Sequence, residues 1–484
     1  MNRGNESGFT RRRRYAILAI CSMSLLMVGL DVTIVNVALP SIGHSFHAPL
    51  SGLAWTIDAY TLVLASLLML SGSTADRLGR RRTFVSGLAI FAAGSLLCSV
   101  APNLGLLIVF RMVQAVGGSM LNPVAMSIIT NTFTDARERA QAIGVWAAVI
   151  GVSMALGPVL GGVLVSSVGW QSIFWVNVPV ALVAVALALR FIPESKAPVA
   201  RRVDLPGQLL VILFLASLTY GIIEAPQSGW TSTSILGSLV VAVASLVAFT
   251  FWERRTFEPL VDLRFFRSIP FASATLIAVA AFAGLGGFLF LNTIYLQNVR
   301  GLSPFHAGLD TLPMAVMVML LPPVSGRILS RRGSRIPLLI AGVTLAASCL
   351  MLVDLGPTTS FTWLFGSYLV FGIGFGFVNA PITNTAVSGM PRAQAGVAAA
   401  IASTSRQIGA TVGVAVVGSL AASSLHQERH PSFSSASHPG WWVLTGCGVA
   451  ILVIGLAATS SSAKESARAT AVLINPEFLE ETPA

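Results

Sequence analysis

The chain has few charged residues for its length. Only 10% of its 484 residues are Asp, Glu, Lys or Arg, whereas 54% are hydrophobic. A water-soluble fold of this size has too little interior to bury so much hydrocarbon, and the lipid bilayer is therefore the expected solvent. The net charge of +11 does not indicate nucleic-acid binding, because the basic residues are scattered between apolar runs rather than gathered on one water-facing surface.

Motifs that mark several other protein classes are missing. The chain has two lysines, Lys196 and Lys464, and neither lies in the glycine-rich GK[ST] loop that holds the phosphates of ATP. The sequence also lacks HExxH and GxSxG motifs and any Cys/His cluster with metal-ligand spacing. We therefore predict a protein that is not an enzyme, has no catalytic residues, metal site or cofactor, and draws its energy from an ion gradient.

Long apolar runs predict the membrane topology. Fourteen runs of sixteen to twenty-six residues are long enough to be transmembrane helices. When the segments between them are assigned alternately to two sides, 26 of the 30 Lys and Arg residues fall on the side of the N-terminus. The positive-inside rule then predicts that both termini are cytoplasmic. The runs begin near Tyr15, Leu53, Thr83, Leu104, Ala142, Ile173, Leu209, Ile235, Phe271, Ala307, Ile336, Trp363, Ala395 and Trp441.

Two short sequences recur along the chain. Gly72–Arg80 after the second span resembles Gly326–Ser334 after the tenth at an offset of 254 residues, and Arg139–Ala142 matches Arg392–Ala395 at an offset of 253. The repeat spans eight helices rather than six, so two helices are inserted between two six-helix halves, an organisation typical of secondary transporters. The predicted domains are a bundle over 1–203, an inserted pair over 204–267, a second bundle over 268–460 and a cytoplasmic tail over 461–484.

Ionisable residues inside the spans are the candidate functional residues. Each is disfavoured there by about 2.5–3.5 kcal/mol and therefore needs a reason to be present. We interpret Asp31 and Asp58 as proton-binding acids, with Arg111 either as a structural counter-ion or as a residue that promotes proton release. The alternative is a static Asp–Arg pair that only joins helices. The full set is Asp31, Asp58, Arg111, Glu224, Asp310 and Arg406.

The depth of these residues groups four of them. At about 1.5 Å per residue, Asp31, Asp58, Arg111 and Asp310 lie at one level in the outer half of the membrane. We include Asp310 and Glu224 in the predicted proton-coupling and substrate site. Glu224 is near the outer end of the seventh span and is also compatible with a solvated helix end. The excess of acids favours protons or cationic substrates.

Two further patterns predict moving parts. In the loop after the second span, an acid among arginines and glycines predicts a cytoplasmic gate, although simple positive-inside anchoring is the alternative. In the fifth span, closely spaced glycines and a proline predict tight helix packing and a pivot, with packing alone as the alternative. The gate residues are Gly72, Asp76, Arg77, Gly79 and Arg80, and the span-five residues are Gly151, Gly157, Pro158, Gly161 and Gly162.

These motifs resemble those of the major facilitator superfamily, and within it the fourteen-helix drug:proton antiporter family. Leu30–Pro40 resembles that family's span-one signature, and Gly72–Arg82 resembles the loop known as motif A. Arg111, with Gln114, Gly117 and Gly118, resembles motif B, whose arginine is implicated in proton transfer. Gly151–Gly162 resembles motif C, which is associated with exporters.

The resemblance implies an all-α polytopic fold with two six-helix bundles and two inserted helices, acting as a monomer in a bacterial cell membrane. It implies alternating-access export of lipophilic, often cationic drugs or antibiotics in exchange for protons. One difference concerns span thirteen, which has Arg406 and Gln407 where some relatives that expel dications have acids, and it favours neutral or singly charged substrates. The alternatives are an exporter or importer of one metabolite, or a transport-inactive membrane sensor.

Overall fold

A computed structural model describes residues 10–197, 204–388, 390, 394–427 and 432–474. Within these ranges all regular secondary structure is helical and no strand occurs, which confirms the all-α prediction. Arg392 and Ala393, which begin the second copy of the Arg-Ala-Gln-Ala repeat, lie outside the described residues.

The chain forms two compact units. The first contains the described residues before Asp204 together with Ser303–Leu309. The second contains Asp204–Leu302 and the described residues from Asp310 onward. The helices of the first unit are α1 (Arg11–Phe46), α2 (Leu50–Leu78), α3 (Arg80–Ser99), α4 (Leu104–Thr132), α5 (Ala136–Ser167), α6 (Ser172–Trp175) and α7 (Asn177–Phe191).

The second unit begins with the two helices of the predicted insert. These are α8 (Leu205–Ser228) and α9 (Thr233–Arg255), and α8 packs against the helix Ala395–Gln427 of the same unit. The division of the chain into bundles and an inserted pair stays a prediction. The remaining helices are α10 (Ile269–Ile294), α11 (Pro304–Asp310), where the two units divide, α12 (Leu312–Leu320), α13 (Pro322–Arg332), α14 (Arg335–Met351), α15 (Phe361–Val387), α16 (Ala395–Gln427), α17 (Phe433–Ala458) and α18 (Ser461–Ile474), with a 3-10 helix over Leu263–Arg267 and a π-helix over Tyr295–Val299.

Most of these helices can cross a bilayer. Thirteen helical segments of the described chain are long and apolar enough to do so. The predicted eleventh span is the apolar helix Arg335–Met351, whose 17 residues rise only about 26 Å. The count of fourteen spans and the cytoplasmic position of the termini stay predictions.

The predicted tenth span is not one continuous helix. Its sequence forms α11, α12 and α13, with breaks at Thr311 and Leu321. Proline residues follow both breaks, and proline has no backbone N–H with which to continue a helical ladder. Leu312–Arg332 still provides 21 residues that are apolar enough to span a membrane.

Glycines in α3 and α4 determine how closely these helices pack. A methyl group placed on Gly94 in α3 would lie 2.5 Å from the Cα of Gln114 in α4. One placed on Gly117 would lie 2.6 Å from the carbonyl oxygen of Gly87. Small residues of this kind let two helical backbones approach each other inside a membrane. The close approach brings the polar side chains of α4 within hydrogen-bonding distance of α1 and α3.

Candidate functional site

The acid of the first span and the arginine of the fourth form the centre of the site. Arg111 in α4 donates from Nη1 to Oδ2 of Asp31 in α1 over 2.5 Å. Asp31 is 0% exposed and Arg111 is 1% exposed, so neither charge reaches solvent. A charge buried in this way is tolerated when it has a partner of opposite sign and further hydrogen bonds. The structure supplies both.

Three uncharged side chains complete the network around Asp31. Gln114 donates from Nε2 to Asp31 Oδ1 over 2.8 Å, and Asn177 in α7 donates to the same oxygen over 3.1 Å. Ser95 in α3 accepts hydrogen bonds from both amides, over 2.6 Å and 3.1 Å. The sequence analysis did not single out Ser95 or Asn177, and the available signal was only that each is a polar residue within an apolar run.

Arg111 also contacts α2. Its Nε donates to the backbone oxygen of Thr56 over 3.2 Å, and Nη1 donates to Gln114 Oε1 over 2.6 Å. The guanidinium carbon lies 4.2 Å from the centre of the Tyr60 ring, within the range of a cation–π interaction. The Asp31 network therefore joins α1, α2, α3, α4 and α7. A change of charge at Asp31 would act on all of them.

Asp58 in α2 is in a different environment. It is 0% exposed, and neither carboxylate oxygen has a hydrogen-bond partner or an ion-pair partner among the described residues. Asp58 lies two residues before Tyr60, which places it on another side of α2 from the ring that faces Arg111. The structure therefore does not include Asp58 in the Asp31 network. A carboxylate anion is costly to bury without hydrogen-bond donors.

The other predicted site residues lie in the second unit. Asp310 and Glu224 are half-buried, and the Asp31 network contains neither of them. Arg406 in α16 donates to the hydroxyl of Thr383 in α15 over 2.6 Å. We predicted one depth for Asp31, Asp58, Arg111 and Asp310. Within this set the structure shows a direct contact between Asp31 and Arg111.

The prediction of a loop over Gly72–Arg82 is wrong, because α2 continues to Leu78 and α3 begins at Arg80, with Gly79 between them. Ion pairs within the first unit hold this junction of α2 and α3. Asp76 accepts a hydrogen bond from Arg80 over 2.9 Å, whereas Arg77 is exposed. Gly79 has a φ of 120°, a conformation that suits glycine. Gly72 is half-buried on α2, about one helical turn before Asp76.

Glu194 is the residue of this region that sequence reasoning missed. Its two carboxylate oxygens accept the backbone N–H groups of Arg81 and Arg82 over 3.1 Å and 3.2 Å, at the N-terminus of α3. A carboxylate is favoured at a helix N-terminus because the unpaired N–H groups carry partial positive charge. Asp76 pairs with an arginine, Arg80, and the acid at this helix N-terminus is Glu194. The sequence offered one signal for Glu194: it is an acid three residues after the end of α7, and the start of α3 is a run of arginines.

The glycines of the fifth span pack against two neighbours. Side chains on Gly157 or Gly161 would overlap Thr33 and Ile34 of α1. A methyl group on Gly162 would lie 2.7 Å from the backbone oxygen of Pro304. Pro158 is within the helix, and Gly151 lies half-buried earlier on it. The structure thus shows close packing at these glycines, and the predicted pivoting motion stays a prediction.

A second buried acidic group joins the two helices of the predicted insert. Asp204, before α8, accepts hydrogen bonds from Gly207 N over 3.0 Å and from Trp252 Nε1 over 2.8 Å. Glu253 in α9 accepts from Val261 N over 3.0 Å. Both acids are buried, lie within hydrogen-bonding reach of each other, and keep one oxygen each without a donor. The sequence analysis did not identify this pair.

Comparisons with known proteins agree with the motifs. A family model described as the Major Facilitator Superfamily matches residues 21–414. The multidrug resistance protein Stp of Mycobacterium tuberculosis is 37% identical over 88% of this chain and 79% of its own length. The tetracenomycin C resistance and export protein of Streptomyces glaucescens is 36% identical over 89% of this chain and 80% of its own length.

Solved structures show the same fold at low sequence identity. The xylose transporter XylE from E. coli, in a partially occluded inward-open conformation, matches with a TM-score of 0.64 and 14% identity over 91% of this chain and 97% of its own. A bacterial homologue of the human drug peptide transporters PepT1 and PepT2 matches with a TM-score of 0.65 and 16% identity over 94% and 99%. Together with the membrane-spanning helices, these similarities identify a multi-pass cell-membrane protein. The resemblance seen in the motifs is confirmed, and the chain belongs to the Major Facilitator Superfamily.

Proposed function

We propose that the chain exports lipophilic or cationic drugs and antibiotics in exchange for protons by alternating access. Its relatives named for multidrug resistance and for antibiotic export support the activity. The observation that carries the coupling is the buried ion pair of Asp31 and Arg111. The partners in this proposal are a lipophilic substrate, protons and the lipid bilayer, and the proton gradient takes the place of a cofactor.

Protonation of Asp31 would change the whole network. A proton on Asp31 removes the negative charge that compensates Arg111, which leaves a buried cation without a counter-ion. Because such a cation is costly, the helices must rearrange or another group must approach Arg111. Binding of a proton is thereby linked to a conformational change. This linkage is the property that an antiporter needs.

Asp58 is the second proton-binding acid of the proposal. Its lack of donors suits a group that is neutral when buried and that gives up its proton when water reaches it. Asp310 and Glu224 belong to the second unit and would act on the substrate side of the cycle. We place Glu224 in the substrate path because an acid in a spanning helix is costly unless it is used, and Asp310 because it is a half-buried acid directly before the spanning segment Leu312–Arg332.

The moving parts of the proposal follow from the internal repeat. Two six-helix halves, 1–203 and 268–460, alternate about a central substrate site, with 204–267 as an inserted pair. The junction of α2 and α3, with Asp76 and Arg80, acts as the cytoplasmic gate. Two features support this role: the Asp76–Arg80 ion pair and the Glu194 cap at α3, neither of which includes a residue of the Asp31 network.

Transport of ethidium, a fluorescent lipophilic cation, into inside-out membrane vesicles tests the proposal. Wild type should accumulate ethidium when the vesicles are energised, and an uncoupler should abolish the accumulation. Asp31→Asn and Asp58→Asn should each abolish proton-driven uptake. Asp354→Asn removes an exposed acid of the loop before α15 and serves as the matched control, which should retain wild-type uptake.

Uptake that persists in the presence of the uncoupler would refute proton coupling. Wild-type activity in Asp31→Asn would show that the buried pair is only structural. If an energised wild type moves ethidium out of inside-out vesicles, the chain is an importer. Energised vesicles that take up neither ethidium nor a panel of lipophilic antibiotics would contradict drug export.

A further inference from the structure

Arg406 differs from Arg111 in having no acidic partner. Its Nη2 donates to Thr383 Oγ1 over 2.6 Å, and its Nη1 reaches Ser403 Oγ at 3.4 Å. Its Nε is buried and has no acceptor among the described residues. No Asp or Glu of the described chain lies within ion-pair distance of this guanidinium. Two of its five N–H donors are used, and both go to neutral hydroxyl groups.

The packing of α16 on α10 does not explain the arginine. The contact between α16 and α10 is formed by Gly409 and Gly413, where the backbone of α10 leaves no room for a side chain. The repeat offset of 253 residues places Arg406 at the position of Ser153 in α5. Ser153 is a small, buried residue whose hydroxyl donates to its own helix. The same position in the first half is thus filled without a charge, and the second half has a cation there.

The guanidinium lies beside an aromatic surface. Its central carbon is 5.9 Å from the centre of the Phe282 ring, and Phe282 packs edge-to-face on Phe375 with ring centres 5.2 Å apart. Phe282 and Arg406 are both only partly buried, while Thr383 is exposed. An approaching molecule would therefore meet a cation with free donors, a hydroxyl group and an apolar ring at one place.

We propose that Arg406 binds an anionic oxygen group of the exported molecule, a carboxylate or phenolate, while Phe282 contacts its apolar body. This inference rests on the proposed export function and adds lipophilic weak acids to its substrates. A carboxylate would accept the free Nε–H together with an Nη–H in the bidentate geometry that guanidinium groups favour. It would also supply the counter-charge that the described chain does not provide. The anionic phosphate of a lipid headgroup offers the same chemistry, and the experiment separates the two sources.

Three pyrene probes that differ only in their end group test the proposal. Pyrenebutanoate is an anion, pyrenebutanamide is neutral and pyrenebutylamine is a cation. Binding to the full-length protein in detergent is followed by energy transfer from tryptophan to pyrene. Wild type should bind the butanoate about tenfold more tightly than the amide or the amine.

Substitutions at Arg406 should change only the response to the anion. Arg406→Gln should bind the amide as wild type does and lose the roughly tenfold preference for the butanoate. Arg406→Lys keeps the charge but loses the planar fork, and it should retain part of the preference. The matched control is Arg468→Gln, which removes an exposed arginine of α18 and should behave as wild type.

Several results would overturn the assignment. An anion preference that survives in Arg406→Gln would do so, and an equal loss of all three probes would indicate a structural role. Displacement of pyrenebutanoate by added phosphatidylglycerol would assign the guanidinium to a lipid headgroup instead. If wild type binds the probes without preference, only the role of Arg406 is wrong, whereas failure to bind any of them contradicts a lipophilic export site as well.

Discussion

Asp31 and Arg111 are 80 residues apart in the sequence, yet their side chains form an ion pair with a 2.5 Å contact from which solvent is excluded. Removing one member of such a pair leaves the other charge buried and unpaired. We therefore expect Asp31→Asn and Arg111→Gln to lower the free energy of unfolding by about 3–5 kcal/mol each. The double variant should lose less than the sum of the two, because neither charge remains.

Thermal unfolding of the three variants in detergent measures this coupling as a double-mutant cycle. Ethidium transport should be absent in all three, so recovery of stability in the double variant separates folding from function. Stability losses that simply add would show that the two residues are not energetically coupled.

Asp58 should respond differently from Asp31, although both are buried acids of the first unit. Asp58 has no donor to lose, so Asp58→Asn should change the free energy of unfolding by less than about 1 kcal/mol. Asp31→Asn disturbs a network with three donors and should cost several times more. Thermal unfolding of the two variants side by side provides the comparison. A large loss of stability in Asp58→Asn would mean that its carboxyl group has a partner.

Sequence reasoning identified the charged members of the site because a charge inside an apolar run has an obvious cost. It could not assign their partners, since Ser95 and Asn177 are uncharged and cost less to bury than an ion does. Asp58 and Asp31 met the same criterion in the sequence but have opposite environments in the structure. Tyr60 and the Thr56 carbonyl of α2 contact Arg111 whereas Asp58 does not, and hydropathy does not report which side of a helix faces a partner.

The helices themselves were predictable to different degrees. Continuous apolar runs such as α1 and α10 had to be helical, because only a helix satisfies its own backbone groups in a bilayer. The division of the tenth span at Thr311 and Leu321 depends on prolines whose effect the apolar run concealed. The Glu194 cap joins residues more than 100 positions apart, a contact that only the folded chain defines.

Gly79 should be intolerant of any side chain. Gly79→Ala should destabilise by about 1–3 kcal/mol from backbone strain, and further because its methyl group would lie 2.5 Å from Glu194 Oε1. Gly229 has a comparable backbone conformation with open space around it, so Gly229→Ala should lower the stability only through backbone strain. Hydrogen exchange should be faster at the amides of Arg81 and Arg82 in Gly79→Ala alone. Unchanged exchange there would mean that the Glu194 cap does not depend on Gly79.

The buried acids of the predicted insert allow a stabilising substitution. In Glu253→Gln, the side-chain oxygen can still accept from Val261 N, while the new amide can donate to the free oxygen of Asp204. We expect a gain of about 1 kcal/mol in the free energy of unfolding, because the amide donates to Asp204 without the proton that two adjacent buried carboxyl groups must otherwise share. Glu253→Ala should instead be destabilising, and Glu465→Gln, at an exposed site of α18, should have no effect. Thermal unfolding in detergent ranks the four proteins. A lower stability of Glu253→Gln than of wild type would show that both carboxyl groups are needed.

Gly162 and Gly144 lie on the same helix and should respond to alanine in opposite ways. Nothing lies within 4 Å of a methyl group placed on Gly144, so Gly144→Ala should stabilise the helix by roughly 0.5–1 kcal/mol. A methyl group on Gly162 would lie 2.7 Å from both the Pro304 oxygen and the Cα of Phe305, and backbone atoms cannot rotate away. Gly162→Ala should therefore cost about 1–3 kcal/mol and lower ethidium transport.

Thermal unfolding and ethidium uptake of these two variants, measured together, distinguish packing from motion at α5. A stable Gly162→Ala that has lost transport would indicate that the helices must slide at this contact, as a pivot requires. Loss of stability and transport in proportion would indicate packing alone. Equal behaviour of the two alanine variants would contradict the close approach of α5 to Pro304 on which the prediction rests.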